Sequence, residues 1–179
     1  FHPEAIKSRF KEVGAVLYEE TLGESMEEDD LPIGTELADI SDILSLKDIE
    51  TEEPSYKTRI IYRGDRPRVV ASKLNGKNVY DYVAENEDVW TCTSADHVGV
   101  RAVLAAAACK GWATHSADLL SAYLQAAAGG RKTYLKIGRV LEEGLPESVR
   151  TQRSKYKLPV TELKRALYGR KRSGLDWSR

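Results

Sequence analysis

Gly111 to Ala126, GWATHSADLLSAYLQA, is a short run that reaches Asp118 and is followed five residues later by Tyr123. Immediately before it, Val98 to Lys110 is rich in Ala, Leu and Val and carries only Arg101 as a charge ahead of Lys110. That pattern predicts a helix, apolar nearly all round and therefore buried beneath a sheet. Thr93-Ser94-Ala95-Asp96 has the spacing of a capping box, and Gly111 supplies the stop. Trp112 to Asp118 then reads as a strand, because a helix that returns to a strand through a tight glycine turn is what an α/β layer needs. Leu119 to Ala128 continues as an apolar segment that Gly129-Gly130 breaks.

Upstream, Glu4 to Glu19 repeats apolar residues at a helical period, with Ala5, Ile6, Phe10, Val13, Val16 and Leu17 on one side. Glu20 to Asp30, ETLGESMEEDD, has too little apolar content to pack and reads as an acidic loop, its Asp29-Asp30 pair a solvated surface rather than a metal dyad. Leu31 to Leu46 has mixed periodicity, consistent with two short strands or a turn of helix. Lys47 to Ser55 is a polar connector. Tyr56 to Arg63 alternates charged with apolar or aromatic side chains, as a half-buried strand does, which puts Lys57 and Arg59 on one face. RVVASKL and NVYDYVA flank Asn75-Gly76, a strong hairpin signal, with an extended loop as the alternative. Downstream, Thr133 to Ile137 predicts a short strand, Glu142 to Lys157 a polar loop, and Leu163 to Tyr168 a helical or turn segment ending at Gly169.

The 179 residues suffice for one sizeable core or two small lobes sharing one. The division expected is an acidic segment and linker over 1–55, a second region over 56–110 and a third over 111–179. A net charge of -1 conceals a strong asymmetry. Residues 1–56 carry 4 Lys/Arg against 16 Asp/Glu, whereas residues 110–179 carry 15 against 6. A basic segment of that kind is either a solvated face or the footprint of a polyanion partner. Cys92 and Cys109 lack metal-ligand spacing and read as reduced thiols, which favours an intracellular compartment. No window is long and apolar enough for a membrane helix, so no membrane partner is expected. The start, FHPEAIKSRF, has no signal-peptide core and no initiating Met, as an internal piece of a longer reading frame would not.

Three separated pieces carry a resemblance to the reverse transcriptases of copia-type retrotransposons. KTRIIYRG (Lys57 to Gly64) is similar to the fingers motif KARLVARG; Gly111-Trp112 with DLLSAYL resembles Gly-Trp followed by Asp-Val-x-x-Ala-Phe-Leu; and LKRALYGRKRSGLDW (Leu163 to Trp177) resembles Leu-x-x-x-Leu-Tyr-Gly-Leu-Lys-Gln followed by Trp. The resemblance spans about Tyr56 to Trp177. It implies an α+β fold, with reverse-transcriptase-like fingers, a partial palm and a helix-backed antiparallel sheet. It also implies an RNA-directed DNA polymerase, a nucleotidyltransferase that extends a primer on an RNA or DNA template with deoxynucleoside triphosphates.

Such chemistry is an in-line phosphoryl transfer between two metal ions ~3.5–4 Å apart. By resemblance the ion is Mg2+, with Asp118 the first catalytic carboxylate and the Leu119 carbonyl a second ligand. Without the family, Asp118 simply caps the turn after its strand. Tyr123 would lie under the sugar of the incoming nucleotide, Lys57 and Arg59 would reach its triphosphate, and Tyr168, Gly169 and Lys171 would shape the nucleotide pocket and guide the template. Arg172 stands where the family has Gln and Arg170 where it has Leu, which alters that pocket. The family's Asp-Asp hairpin is not met before Arg179, so the chain is expected to be inactive alone. The alternatives are a noncatalytic nucleic-acid-binding or scaffold protein derived from such an element, and an unrelated α/β interaction domain.

Overall fold

The computed structural model describes residues 2–18, 20–50, 54–83, 96–119 and 121–178. Among them, five α-helices accompany an open sheet of seven strands: α1 (Pro3–Val16), β1 (Leu22–Glu27), β2 (Glu36–Lys47), β3 (Ser55–Tyr62), β4 (Arg68–Leu74), β5 (Lys77–Tyr82), α2 (His97–Lys110), β6 (Thr133–Lys136), α3 (Arg139–Glu142), α4 (Glu147–Arg153), β7 (Pro159–Leu163) and α5 (Ser173–Trp177). The strand order is β1-β7-β6-β2-β4-β5, with β3 also paired to β2. The sheet is mixed rather than wholly antiparallel, because β2 and β6 run parallel from Glu36↔Thr133 to Asp39↔Lys136. Strands from the acidic first third and the basic last third thus share one sheet.

Alternation along β2 and β6 builds two cores. Ala38 and Leu135 face one side with Val13, Val16 and Leu17 of α1, Leu141 of α3 and Val149 of α4. Leu37 and Tyr134 face the other, with Leu31, Val70 and Val160. Each fully buried aliphatic side chain of this kind contributes roughly 1.5–3 kcal/mol. The helix α1 begins with Pro3 in its first turn and with His2 as cap, its Nδ1 accepting from the Glu4 amide at 3.3 Å. It covers β3, where Ser8 Oγ accepts from the Thr58 amide at 3.0 Å and so closes part of an otherwise open strand edge. The hairpin signal is met: Asn75 and Gly76 hold φ of 51° and 76° between β4 and β5, the left-handed pair that a two-residue turn needs.

Several expectations are corrected. The helix His97–Lys110 forms, capped by Asp96, whose Oδ1 accepts from the Gly99 amide at 2.7 Å. Thr93 to Ala95 lie outside the described residues, as does Cys92. This helix is not buried beneath the sheet: of its residues only Ala107 is buried, while Val98, Val103 and Leu104 are exposed. An apolar circumference states what a helix has to hide, and the sheet's helical cover comes from α1, α3 and α4 instead. Trp112 to Asp118 forms no strand and lies exposed throughout. Its side chains, Ala, Thr, His and Ser after the lone Trp112, offer too little apolar area to hold a place in a ladder.

The acidic stretch Glu20 to Asp30 is not a loop. It supplies β1 and a 3-10 turn, because Leu22 is buried and Ser25 meets Thr161 at 3.0 Å across the ladder to β7. Within Leu31 to Leu46 a turn leads into one long strand, β2 from Glu36, in place of two short strands or a turn of helix. Glu142 to Lys157 contains α4, started by Pro146 and pinned by Val149, rather than only loop. Leu163 closes β7, and the helix that follows is delayed to Ser173–Trp177.

Candidate functional site

The three sequence pieces that carry the resemblance converge in space, though not at Asp118. The strand β3 is followed by residues 63–67, which lie opposite only Ala38 and Asp39 before pairing resumes at Arg68↔Leu37. Into the bend left by this excursion runs the chain after β7. The Tyr62 amide donates to the Tyr168 carbonyl at 2.8 Å, and Gly64 and Gly169 stand backbone to backbone. Tyr123, in the short 3-10 turn Ala122–Gln125, packs its ring edge-on to Tyr168 with centroids 4.8 Å apart. Two further links tie the same segments: Ala127 bridges Arg165, and the Ala166 amide donates to the Ala126 carbonyl at 3.0 Å.

Lys57 and Arg59 do share a face. They stand opposite Ser45 and Ile43 of β2, with Arg59 exposed, while Thr58 and Ile60 point into the protein. The cations crowd each other: Lys47 beside it, and then Arg59, hold the Lys57 ammonium below its ordinary range. A surface with that mutual repulsion favours an anion that would relieve it. In the excursion, Asp65 accepts from Arg63 Nε at 3.0 Å and from Arg66 Nε at 3.0 Å, and these hydrogen bonds keep its carboxyl far below the usual carboxylate range.

Asp118 and Leu119 lie in the exposed segment after α2. The Asp118 carboxylate makes no hydrogen bond or ion pair with another described residue. No group of three or more His, Cys, Asp or Glu side chains among the described residues is arranged to hold a metal ion. One exposed carboxylate and one neighbouring carbonyl do not fit a Mg2+ ion that must be held against water.

The residues after Gly169 are arranged in a way the basic run Arg170-Lys171-Arg172 does not announce. Arg170 is buried and Arg172 half-buried, and both donate to the carboxylate of Asp176, at 3.1 and 2.7 Å. Lys171 between them is exposed. Two more polar links were invisible from sequence. Tyr62 donates to Glu36, and burial, with Glu36 second, pushes its phenol far above the ordinary value. Arg153 is 2% exposed and donates to Glu142 at 2.9 Å, to the Thr161 hydroxyl at 2.9 Å and to the Ile137 carbonyl at 3.2 Å. Only the Arg172 and Asp176 spacing of four residues carried a local signal.

No protein-family model, curated protein or solved structure matches the chain. No helix among the described residues is long and apolar enough to cross a membrane.

Proposed function

We infer that the chain is part of an RNA-directed DNA polymerase domain of copia type, with reverse-transcriptase-like fingers and partial palm, and that what it does by itself is bind nucleic acid. The observation that carries this reading is the meeting of Lys57 to Gly64, Tyr123 and Tyr168 to Lys171 around the Gly64 and Gly169 contact, since these segments are far apart in sequence. Its surface chemistry agrees. Lys57 and Arg59 offer mutually repelling cations on a strand face, Lys171 offers an exposed one, and Arg59 has the planar fork that takes two phosphate oxygens at once.

The single exposed Asp118 favours a noncatalytic nucleic-acid-binding role over polymerase activity for this chain. With Mg2+, deoxynucleoside triphosphates and a primer–template duplex, no primer extension is expected; extension that Asp118→Asn abolishes would overturn the noncatalytic role. The binding surface is tested by reversing charge on β3. Lys57→Glu with Arg59→Glu should weaken binding of a primer–template duplex roughly ten-fold at low salt. Unchanged affinity in a variant of unchanged melting temperature would remove that face from the reading.

A further inference from the structure

The block Arg170-Lys171-Arg172 carries three positive charges in sequence, but the fold presents them unequally. Arg170 is 7% exposed, and its donors are taken by Asp176 Oδ2 at 3.1 Å, the Gly129 carbonyl at 2.7 Å and the Thr133 hydroxyl at 3.3 Å. Arg172 donates through Nε to Asp176 Oδ1 at 2.7 Å and lies against Gly129 and Gly130, where the glycines leave room for it. Asp176, its side chain 3% exposed, also accepts from the Gly129 amide at 3.1 Å. Both of its oxygens are therefore engaged, and one carboxylate clasps two guanidinium groups against a single turn.

We propose that this turn meets a phosphodiester backbone through Lys171 alone, and that Asp176 is a positioning residue that turns Arg170 and Arg172 inward, away from the phosphates. The proposal rests on the nucleic-acid reading above. A cation releases counterions from nucleic acid only when it neutralises a phosphate, and a guanidinium committed to a buried carboxylate does not. Lys171 has no ion-pair partner among the described residues, and no neighbour on its own turn competes for it. The sequence block thus overstates the charge that this turn brings to a partner.

The test measures the salt dependence of binding to a labelled primer–template duplex by the full chain, for wild type, Lys171→Gln and Arg172→Gln. Lys171→Gln should reduce the slope of log K against log salt by ~0.9, and Arg172→Gln should leave it unchanged. An equal reduction by Arg172→Gln overturns the proposal. A second measurement does not depend on binding. Phenylglyoxal, which modifies accessible arginines, should react with Arg170 and Arg172 more slowly than with the exposed Arg59 and Arg150, as read by peptide mass. Asp176→Asn should abolish that protection and Asp176→Glu restore it. Equal reactivity of Arg172 and Arg150 in the wild type overturns the clasp itself. Intact protection without any salt-dependent binding overturns the nucleic-acid reading, and with it the contact assigned to Lys171, while the clasp stands.

Discussion

Gly64 and Gly169 cross backbone to backbone, so that a Cβ on Gly64 would overlap the Gly169 carbonyl and a Cβ on Gly169 would overlap that of Tyr62. Gly169 has a φ of +88°, a conformation that costs an L side chain about 1–2 kcal/mol before any overlap is counted. Gly64 has no such backbone term. Gly169→Ala should therefore lose more stability in urea unfolding than Gly64→Ala, and both should lose more than Gly14→Ala, where a Cβ meets nothing within 4 Å. Equal losses at Gly64 and Gly14 would show that the crossing is not tight in solution.

Arg153 predicts an asymmetry. Its side chain is 2% exposed whereas the Glu142 side chain is 32% exposed, so removing the acid leaves a buried cation without its ion-pair partner while removing the cation leaves an acid that water reaches. Glu142→Ala should cost about 3 kcal/mol, near the lower end for a broken buried pair, and Arg153→Met appreciably less. Chemical denaturation of the two variants checks the order. A larger loss for Arg153→Met would assign the stabilisation to the bonds from Arg153 to Thr161 and Ile137 instead.

What was legible in the sequence was whatever local chemistry decides. Period-two alternation in YKTRIIYR, the Asn75-Gly76 turn and the alanine-rich helix were each readable because neighbours within a few residues specify them, although the cap is Asp96 itself and not a box opened by Thr93. The strand β1 was not, because Leu22 and Ser25 owe their burial to β7, more than 130 residues away. The exposure of α2 was unreadable for the converse reason: Val98, Val103 and Leu104 state a need for cover, and nothing in their pattern says whether the rest of the chain supplies it. At the candidate site, the face shared by Lys57 and Arg59 followed from strand geometry. The inward turn of Arg170 did not, since it depends on the Gly129 carbonyl 41 residues earlier in the chain.

Alkaline pH should weaken the fold through its tyrosines. Burial, with the Glu28 carboxylate next, pushes the Tyr80 phenol up to about 12, and burial raises Tyr62 further. An unfolded tyrosine ionises near about 10. Above that pH the unfolded chain gives up protons that the folded chain retains, so stability is fully present below pH ~10 and declines as pH rises toward ~12. Tyr80→Phe should flatten part of the decline in denaturant midpoints. An unaltered decline in that variant would exclude Tyr80 as a contributor.

Lys57, Arg59 and Lys171 together predict that binding is electrostatic before it is anything else. The most direct measurement is the affinity of the chain for a primer–template duplex as salt rises from ~50 to ~200 mM. The account predicts that log K falls linearly with log salt, with a slope near -0.9 for each phosphate neutralised. An affinity that stays flat across that range contradicts it.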